Sequence, residues 1–144
     1  EDEPSILNGI RVPIDKKIGM GLCGLWLGLL FLLGLINSFP SAPWGIQLME
    51  PFYRTGSLVW GGGPVVLPLI RGEVVPKFVT KEQFLQGFAY VQAMPGPMFN
   101  FSAFLGAVYA GPGGAILAWL GLFLPGLILI YAALPFWAAL QNSE

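Results

Sequence analysis

The sequence has 144 residues, 55% of them hydrophobic and only 10% charged, with a mean hydropathy of +0.69. A soluble domain usually carries about a quarter charged residues. Here no Asp, Glu, Lys or Arg occurs between Glu82 and Glu144, so we interpret the chain as an all-α integral membrane protein with several spans. The balance of 7 basic against 8 acidic residues, the absence of His and the single Cys23 argue against a nucleic-acid partner, a metal site, a cofactor and an enzyme.

The first predicted element is a membrane-spanning helix over residues 18–36. This uncharged stretch gives about 28 Å of helix, which matches the hydrocarbon thickness of a bilayer. Residues 1–17 are polar and contain helix breakers, so we interpret them as a linker that leads to a transmembrane domain over residues 18–140. Three basic residues just before the helix predict a cytoplasmic N-terminus. The Pro- and Ser-containing stretch 37–43 predicts a turn on the far side.

The next apolar stretch is interrupted. Residues 46–60 and 64–70 read as two short helices, and the run Trp60-Gly61-Gly62-Gly63-Pro64 separates them. We expect residues 46–70 to cross the membrane once as two half-helices, which places the charged residues 71–82 in a cytoplasmic loop. A re-entrant loop that returns to its starting face is the alternative, and the sequence leaves it open.

A second interrupted stretch follows. Thr80 and Gln83 form a capping-box pattern that predicts the start of a helix over residues 82–94. The run Pro95-Gly96-Pro97 breaks this helix, and residues 97–110 form its other half.

The last predicted elements are a turn and a closing span. Residues 111–114 are a Gly/Pro turn, and residues 115–134 form a span that carries a Pro125-Gly126 notch and ends near an interfacial Trp137. In total we expect about four spans, two of them broken, with the C-terminus on the side of the N-terminus.

The two interruptions are the candidate binding site. Lipid contains no water to satisfy backbone groups, so irregular backbone survives there only against protein or a wet cavity, as in the broken helices of transporters. A proline that opens a helix leaves the amides of the first turn free, and a helix N-terminus attracts anions. We therefore expect the amides of residues 65–67 and 98–100 to face a cavity; the alternative is that the prolines only kink helices for packing. The candidate residues are Gly61, Gly62, Gly63, Pro64, Pro95, Gly96 and Pro97.

Some side chains near the breaks are further candidates. Asn100 lies where it can donate to an oxyanion, and Gln92 can line the same cavity. Ser102 is either a donor to the substrate or bonded to its own helix backbone. Glu50 and Arg54 are spaced i, i+4 at membrane depth. They are candidates for coupling a proton and guiding an anion, or alternatively an interfacial ion pair that anchors the helix.

The motifs around the breaks resemble the chromate ion transporter family. The resemblance rests on Gly61-Gly-Gly-Pro-Val-Val-Leu-Pro68, Gln92-Ala-Met-Pro-Gly-Pro-Met-Phe-Asn-Phe101, Phe123-Leu-Pro-Gly126 and Leu134-Pro-Phe-Trp137. It covers about residues 44–137 and is closest to the second of the two homologous halves in long members. The first half and the helices that follow the last motif are missing, so the resemblance implies a truncated half whose partners are membrane lipid and the missing half or a second subunit.

The resemblance implies export of chromate, a tetrahedral dianion, across the plasma (inner) membrane, and hence chromate resistance. Two alternatives stay open at this point. The first is a transporter of another anion such as sulfate, which has the same shape and charge. The second is a structural subunit of a membrane complex.

Overall fold

A computed structural model describes residues 15–59 and 63–141, with the backbone alone at residues 63–64 and 138–141. Every regular element in these ranges is helical, which confirms the all-α class. There are five α-helices and one short 3₁₀ turn, Met98–Asn100, which directly precedes the last helix. The α-helices are α1 Lys16–Asn37, α2 Trp44–Leu58, α3 Gly63–Val74, α4 Lys81–Ala93 and α5 Phe101–Gln141.

The last helix consists of two arms. Ala110 and Gly111 have non-helical backbone angles, and Gly111 has φ +64°, a conformation that favours glycine. We call residues 101–109 the first arm and residues 112–141 the second arm. The arms fold against each other so closely that a Cβ atom on Gly106 would collide with the Gly114 carbonyl. The turn expected at residues 111–114 is therefore present, and it begins at Ala110.

Three long segments form the body of the molecule: α1, α2 and the second arm. At one end Gly19 lies against Pro135 and Ala132, so α1 and the second arm are antiparallel. Helix α2 packs between them and follows the direction of the second arm, because Gly45 lies beside Leu117 and Gly56 beside Leu122. Many large apolar side chains of α1 are exposed, as expected for a helix surface in contact with lipid or another protein.

Helices α2 and α3 form a hairpin instead of a single broken crossing. Two guanidinium nitrogens of Arg54 on α2 donate to the Glu73 carboxylate at the end of α3, at 3.0 and 2.7 Å. If the two helices continued in one direction, these residues would lie about 28 Å apart. The expected single crossing over residues 46–70 is therefore wrong. The chain turns back at the break, as in the re-entrant alternative.

Helix α4 and the first arm form a second hairpin. The Thr80 side chain and the Gln83 backbone and side chain make both bonds of the expected capping box, so α4 starts as predicted. The Phe84 and Phe101 rings then lie 4.9 Å apart, and Phe78 contacts Tyr109 at 4.9 Å. These contacts require α4 and the first arm to run in opposite directions, so residues 82–110 also fold back instead of crossing once.

The hairpins define two ends of the molecule. The loop end holds residues 38–43, 75–80 and 110–111, because Trp44 lies beside Gly113 and Phe78 beside Tyr109. The terminal end holds the start of α1 and the end of the second arm. The expectation that the N-terminal lysines and the charged residues 71–82 share one side is therefore wrong.

Two helices in the described ranges are long and apolar enough to cross a membrane. They are Lys16–Asn37 and the continuous stretch Met98–Trp137. Because the second stretch bends at Ala110 and Gly111, only its second arm is a continuous span. The described chain thus has two long spans and two hairpins in place of four similar crossings. The start of α1 and the end of the second arm lie at the same end.

Candidate functional site

Residues from both hairpins line one cavity of about 190 Å³. Val59 and Val66 come from the first hairpin, Phe99 comes from the tip of the second, and Gly56 lies near the end of α2. The second arm closes the far wall with Leu122, Phe123 and Gly126. The cavity is lined almost entirely by apolar side chains and glycines, so backbone groups are the main source of polarity there.

The cavity lies near the middle of the long spans. Phe123, which lines it, is about 18 Å along the helix from Gly111 at the loop end. It is about 21 Å along the helix from Trp137, where the apolar stretch of the second arm ends. Irregular backbone at this depth needs protein or water around it, and the cavity supplies such a place.

The first tip leads into helix α3. Gly61 and Gly62 lie outside the described residues. Gly63 and Pro64 are the first two residues of α3, and Val66 in its first turn lines the cavity. The N-terminus of α3 therefore opens at the cavity, and its partial positive charge favours an anion there.

The second tip contains the Pro-Gly-Pro run. Gly96 has φ +146°, a backbone angle that residues with a Cβ atom rarely adopt. Pro95, Gly96 and Pro97 line a recess of about 40 Å³ together with Val91, Met94 and Asn100. The Asn100 backbone N–H donates to the Pro97 carbonyl at 3.0 Å, so the expectation that this amide is free was wrong.

The Asn100 side chain is exposed at this tip and is held from the second arm. Its carbonyl oxygen accepts a hydrogen bond from the indole N–H of Trp119 at 3.3 Å. Trp119 lies against Phe123 with ring centroids 4.9 Å apart, and Phe123 meets Phe99 edge-to-face at 6.0 Å. Neither Trp119 nor Phe123 was among the site residues predicted from the sequence. The available signal was their i, i+4 spacing, which places both rings on one face of the last span.

Two other candidate side chains point elsewhere. Ser102 is fully buried, and its hydroxyl donates to the Phe99 carbonyl at 2.9 Å. This is the helix-backbone bond that the sequence analysis kept as an alternative. Gln92 is exposed on α4 and lines neither the central cavity nor the recess at the second tip.

Glu50 and Arg54 belong to a separate cluster nearer the loop end. The Glu50 carboxylate is buried and accepts from Arg54 Nε at 2.8 Å and from Asn37 Nδ2 at 2.9 Å. Arg54 also binds Glu73, so two carboxylates share one guanidinium. None of these side chains lines the cavity. The cluster therefore joins α1, α2 and α3, and its net charge gives an anion no attraction.

The architecture is that of an all-α integral membrane protein with two long spans, two hairpins and a cavity lined by residues of both hairpins and of the second arm. The sequence profile described as Chromate transporter matches residues 46–144. The chain belongs to the chromate transporter family.

Individual relatives agree with this assignment. A chromate transport protein of Pseudomonas aeruginosa is 37% identical over 73 residues, which are 50% of this chain and 18% of that protein. A probable chromate transport protein of Synechococcus elongatus is 30% identical over 109 residues, 73% of this chain and 28% of the relative. The uncharacterized transporter YwrB of Bacillus subtilis is 44% identical over 75 residues, 50% of this chain and 38% of the relative. The chain thus matches well under half the length of these proteins, and no solved structure matches it.

Proposed function

We propose that this chain forms the oxyanion-binding part of a membrane transporter that exports chromate and thereby confers chromate resistance. The observation that carries the proposal is that residues next to both backbone breaks, Val59 and Val66 at the first and Phe99 at the second, line one cavity at mid-depth. Its relatives include proteins named for chromate transport. The residues proposed to surround the anion are the tip residues Gly61, Gly62, Gly63, Pro64, Pro95, Gly96, Pro97 and Asn100.

The proposed chemistry depends on backbone amides and one side-chain amide. The start of α3 lies beside the cavity, and the 3₁₀ turn before α5 carries the Asn100 side-chain amide. An α-helix N-terminus carries about half a positive charge, which attracts an anion. The apolar walls of the cavity exclude water and so strengthen the attraction between this charge and the anion. The cavity is more than ten times the roughly 15 Å³ that one water needs, so a tetrahedral oxyanion has room.

Export is the favourable direction for a dianion. Moving two negative charges outward across an inside-negative potential of 100 mV releases about 4.6 kcal/mol, twice the value for a single charge. At 1.4 kcal/mol for each factor of ten, this sustains a gradient of roughly a thousandfold. A coupling ion is therefore not required, and the role of Glu50 is better explained by the cluster that it forms with Asn37 and Arg54.

The proposed setting is the plasma (inner) membrane, with residues 1–17 as a cytoplasmic linker and residues 18–140 as the transmembrane domain. The second tip exposes Pro95, Gly96 and Asn100 on the surface of this chain. Because lipid does not satisfy such groups, we propose that a second homologous body covers this face, either another part of a longer transporter or a second subunit.

The decisive experiment is an efflux assay with the full-length transporter in everted vesicles or proteoliposomes. We expect saturable chromate transport that is driven by the membrane potential. Sulfate as a competitor measures the preference between the two tetrahedral dianions. Stronger transport of sulfate than of chromate would identify sulfate as the substrate. Normal transport by a folded Gly96→Leu variant would instead favour a purely structural role for the tips.

A further inference from the structure

Trp119 fixes which end of the Asn100 side chain faces the second tip. An indole N–H can only donate a hydrogen bond, so the end of the Asn100 amide that meets it must be the carbonyl oxygen. The NH₂ group then points away from Trp119. Its nitrogen lies 3.9 Å from the position that a Cβ atom on Gly96 would occupy.

This orientation presents two hydrogens at the recess of the second tip, next to Phe99, which lines the central cavity. Asn100 lines the recess formed by the Pro-Gly-Pro run. In the described part of the chain, neither NH₂ hydrogen has a protein acceptor, whereas the carbonyl end is bonded. The two ends of an amide have nearly the same shape, so without Trp119 the group would turn freely. In the reversed orientation the carbonyl oxygen would face the site and repel an oxyanion.

The Trp119 ring is itself held in place. It packs against Phe123 on the same helical face, and Phe123 contacts Phe99 next to Asn100. The orientation of the indole therefore depends on ring packing, while the orientation of the amide depends on the single indole N–H. Replacing Trp by Phe separates the two effects, because Phe keeps an aromatic ring and lacks the donor.

We propose that Trp119 is a positioning residue for the oxyanion: it holds the Asn100 amide with its NH₂ group toward the substrate. This proposal rests on the proposed function and adds a residue outside the two Gly/Pro breaks. The competing explanation is that the bond between Trp119 and Asn100 only fastens the second tip to the second arm.

The test compares variants of the full-length transporter in proteoliposomes, with chromate as substrate and thermal unfolding in detergent as the measure of folding. For Trp119→Phe we expect about a five- to tenfold rise in the half-saturating chromate concentration, with a maximal rate within about twofold of wild type, because one net hydrogen bond is lost. Trp26→Phe is the matched control. It also removes an indole hydrogen bond, to Ser57, and we expect unchanged chromate affinity.

Asn100→Asp separates positioning from fastening. Asp keeps an oxygen that accepts the Trp119 bond and replaces the NH₂ group with a second negative oxygen. We expect at least a hundredfold loss of chromate affinity, with thermal unfolding within a few degrees of wild type. Near-normal affinity in this variant would overturn the proposal and favour fastening.

A combined variant completes the test. In an Asn100→Ala background no amide remains to be oriented, so we expect Trp119→Phe to cause no further loss of affinity. Additive losses would contradict the proposed role of Trp119. If the wild-type protein shows no saturable binding or transport of chromate or sulfate, the proposed function fails instead, and that outcome is distinct because it does not depend on any variant.

Discussion

Single residues at the second hairpin tip divide into those that face the proposed substrate and those that support the backbone. Asn100 is exposed beside the recess, while Ser102, two residues later, is buried and bonded to the Phe99 carbonyl. We expect Asn100→Leu to weaken chromate affinity by about tenfold to a hundredfold, since a hydrogen bond to a charged group contributes about 1.5–3 kcal/mol. Ser102→Ala should leave affinity unchanged and lower stability by about 1 kcal/mol. A transport titration of both variants measures the difference, and equal affinities would remove Asn100 from the site.

Gly96 provides a test of the tip backbone. Its φ of +146° favours glycine, and among the described residues only the Asn100 side chain approaches the position of a Cβ atom there. Gly96→Ala therefore adds backbone strain of about 1–3 kcal/mol without a severe collision. We expect the variant to fold and to lose most transport, because the tip amides are displaced.

The matched control for this variant is Gly28→Ala. Gly28 lies within α1 and has open space at its Cβ position. Alanine is favoured over glycine inside a helix, so transport should be unchanged and stability equal or slightly higher. Transport by Gly96→Ala at the level of Gly28→Ala would show that the tip conformation does not matter for substrate.

At the scale of elements, local sequence patterns predicted the first and last residues of the helices better than the direction of each helix relative to the one before it. Helix α4 starts at the capping box of Thr80 and Gln83, and the first span matches α1 within two residues at its start. The direction of the chain after each break depends on contacts between distant residues, such as Arg54 with Glu73 and Phe84 with Phe101. No periodicity within one segment contains that information, so the first hairpin was predicted only as the re-entrant alternative and the second was not predicted.

The candidate site was predictable to the same extent. The Gly/Pro runs can be recognised from the sequence because irregular backbone is costly in lipid. The described parts of both runs lie at the cavity or beside it. Trp119 and Phe123 lie in a span whose sequence is almost uniformly apolar, so their i, i+4 spacing puts both rings on one helix face but does not show whether that face meets lipid or the site. Glu50 and Arg54 were singled out by their charge, and the structure instead places them with Asn37 and Glu73.

The charged cluster gives a prediction about how the first hairpin is held. The Glu50 side chain is 7% exposed, so Arg54→Gln leaves a buried carboxylate without its cation and should cost about 3–5 kcal/mol of stability. Glu73→Gln breaks a pair whose side chains are 42% and 35% exposed, and it should cost about 1 kcal/mol or less. Thermal unfolding in detergent compares the two variants.

The double variant Glu50→Gln with Arg54→Gln serves as the control. It removes the buried charge together with its partner, so it should regain part of the stability that Arg54→Gln loses. Equal losses of stability in Arg54→Gln and Glu73→Gln would contradict the view that the buried ion pair of Arg54 with Glu50 contributes more stability than its pair with Glu73.

At the scale of the whole molecule, two basic clusters compete to set the orientation. Arg11 precedes α1 and Lys16 and Lys17 are its first two residues, whereas Arg71, Lys77 and Lys81 lie between the end of the first hairpin and the start of α4. With three basic residues at each end, the positive-inside rule favours neither orientation if all six are counted equally. We expect the lysines at the start of α1 to prevail, because they directly flank a continuous span.

This orientation is testable by chemical labelling. Lys17→Cys and Lys77→Cys, each in a Cys23→Ala background, place single thiols at exposed positions at opposite ends of the molecule. In intact cells a membrane-impermeant maleimide should label the Lys77→Cys variant and leave the Lys17→Cys variant unlabelled until the membrane is opened. The reverse pattern would keep the hairpin arrangement and invert the orientation. Labelling of both variants from the same face would contradict the hairpins themselves, because only a chain that crosses within residues 44–74 brings the two positions to one side.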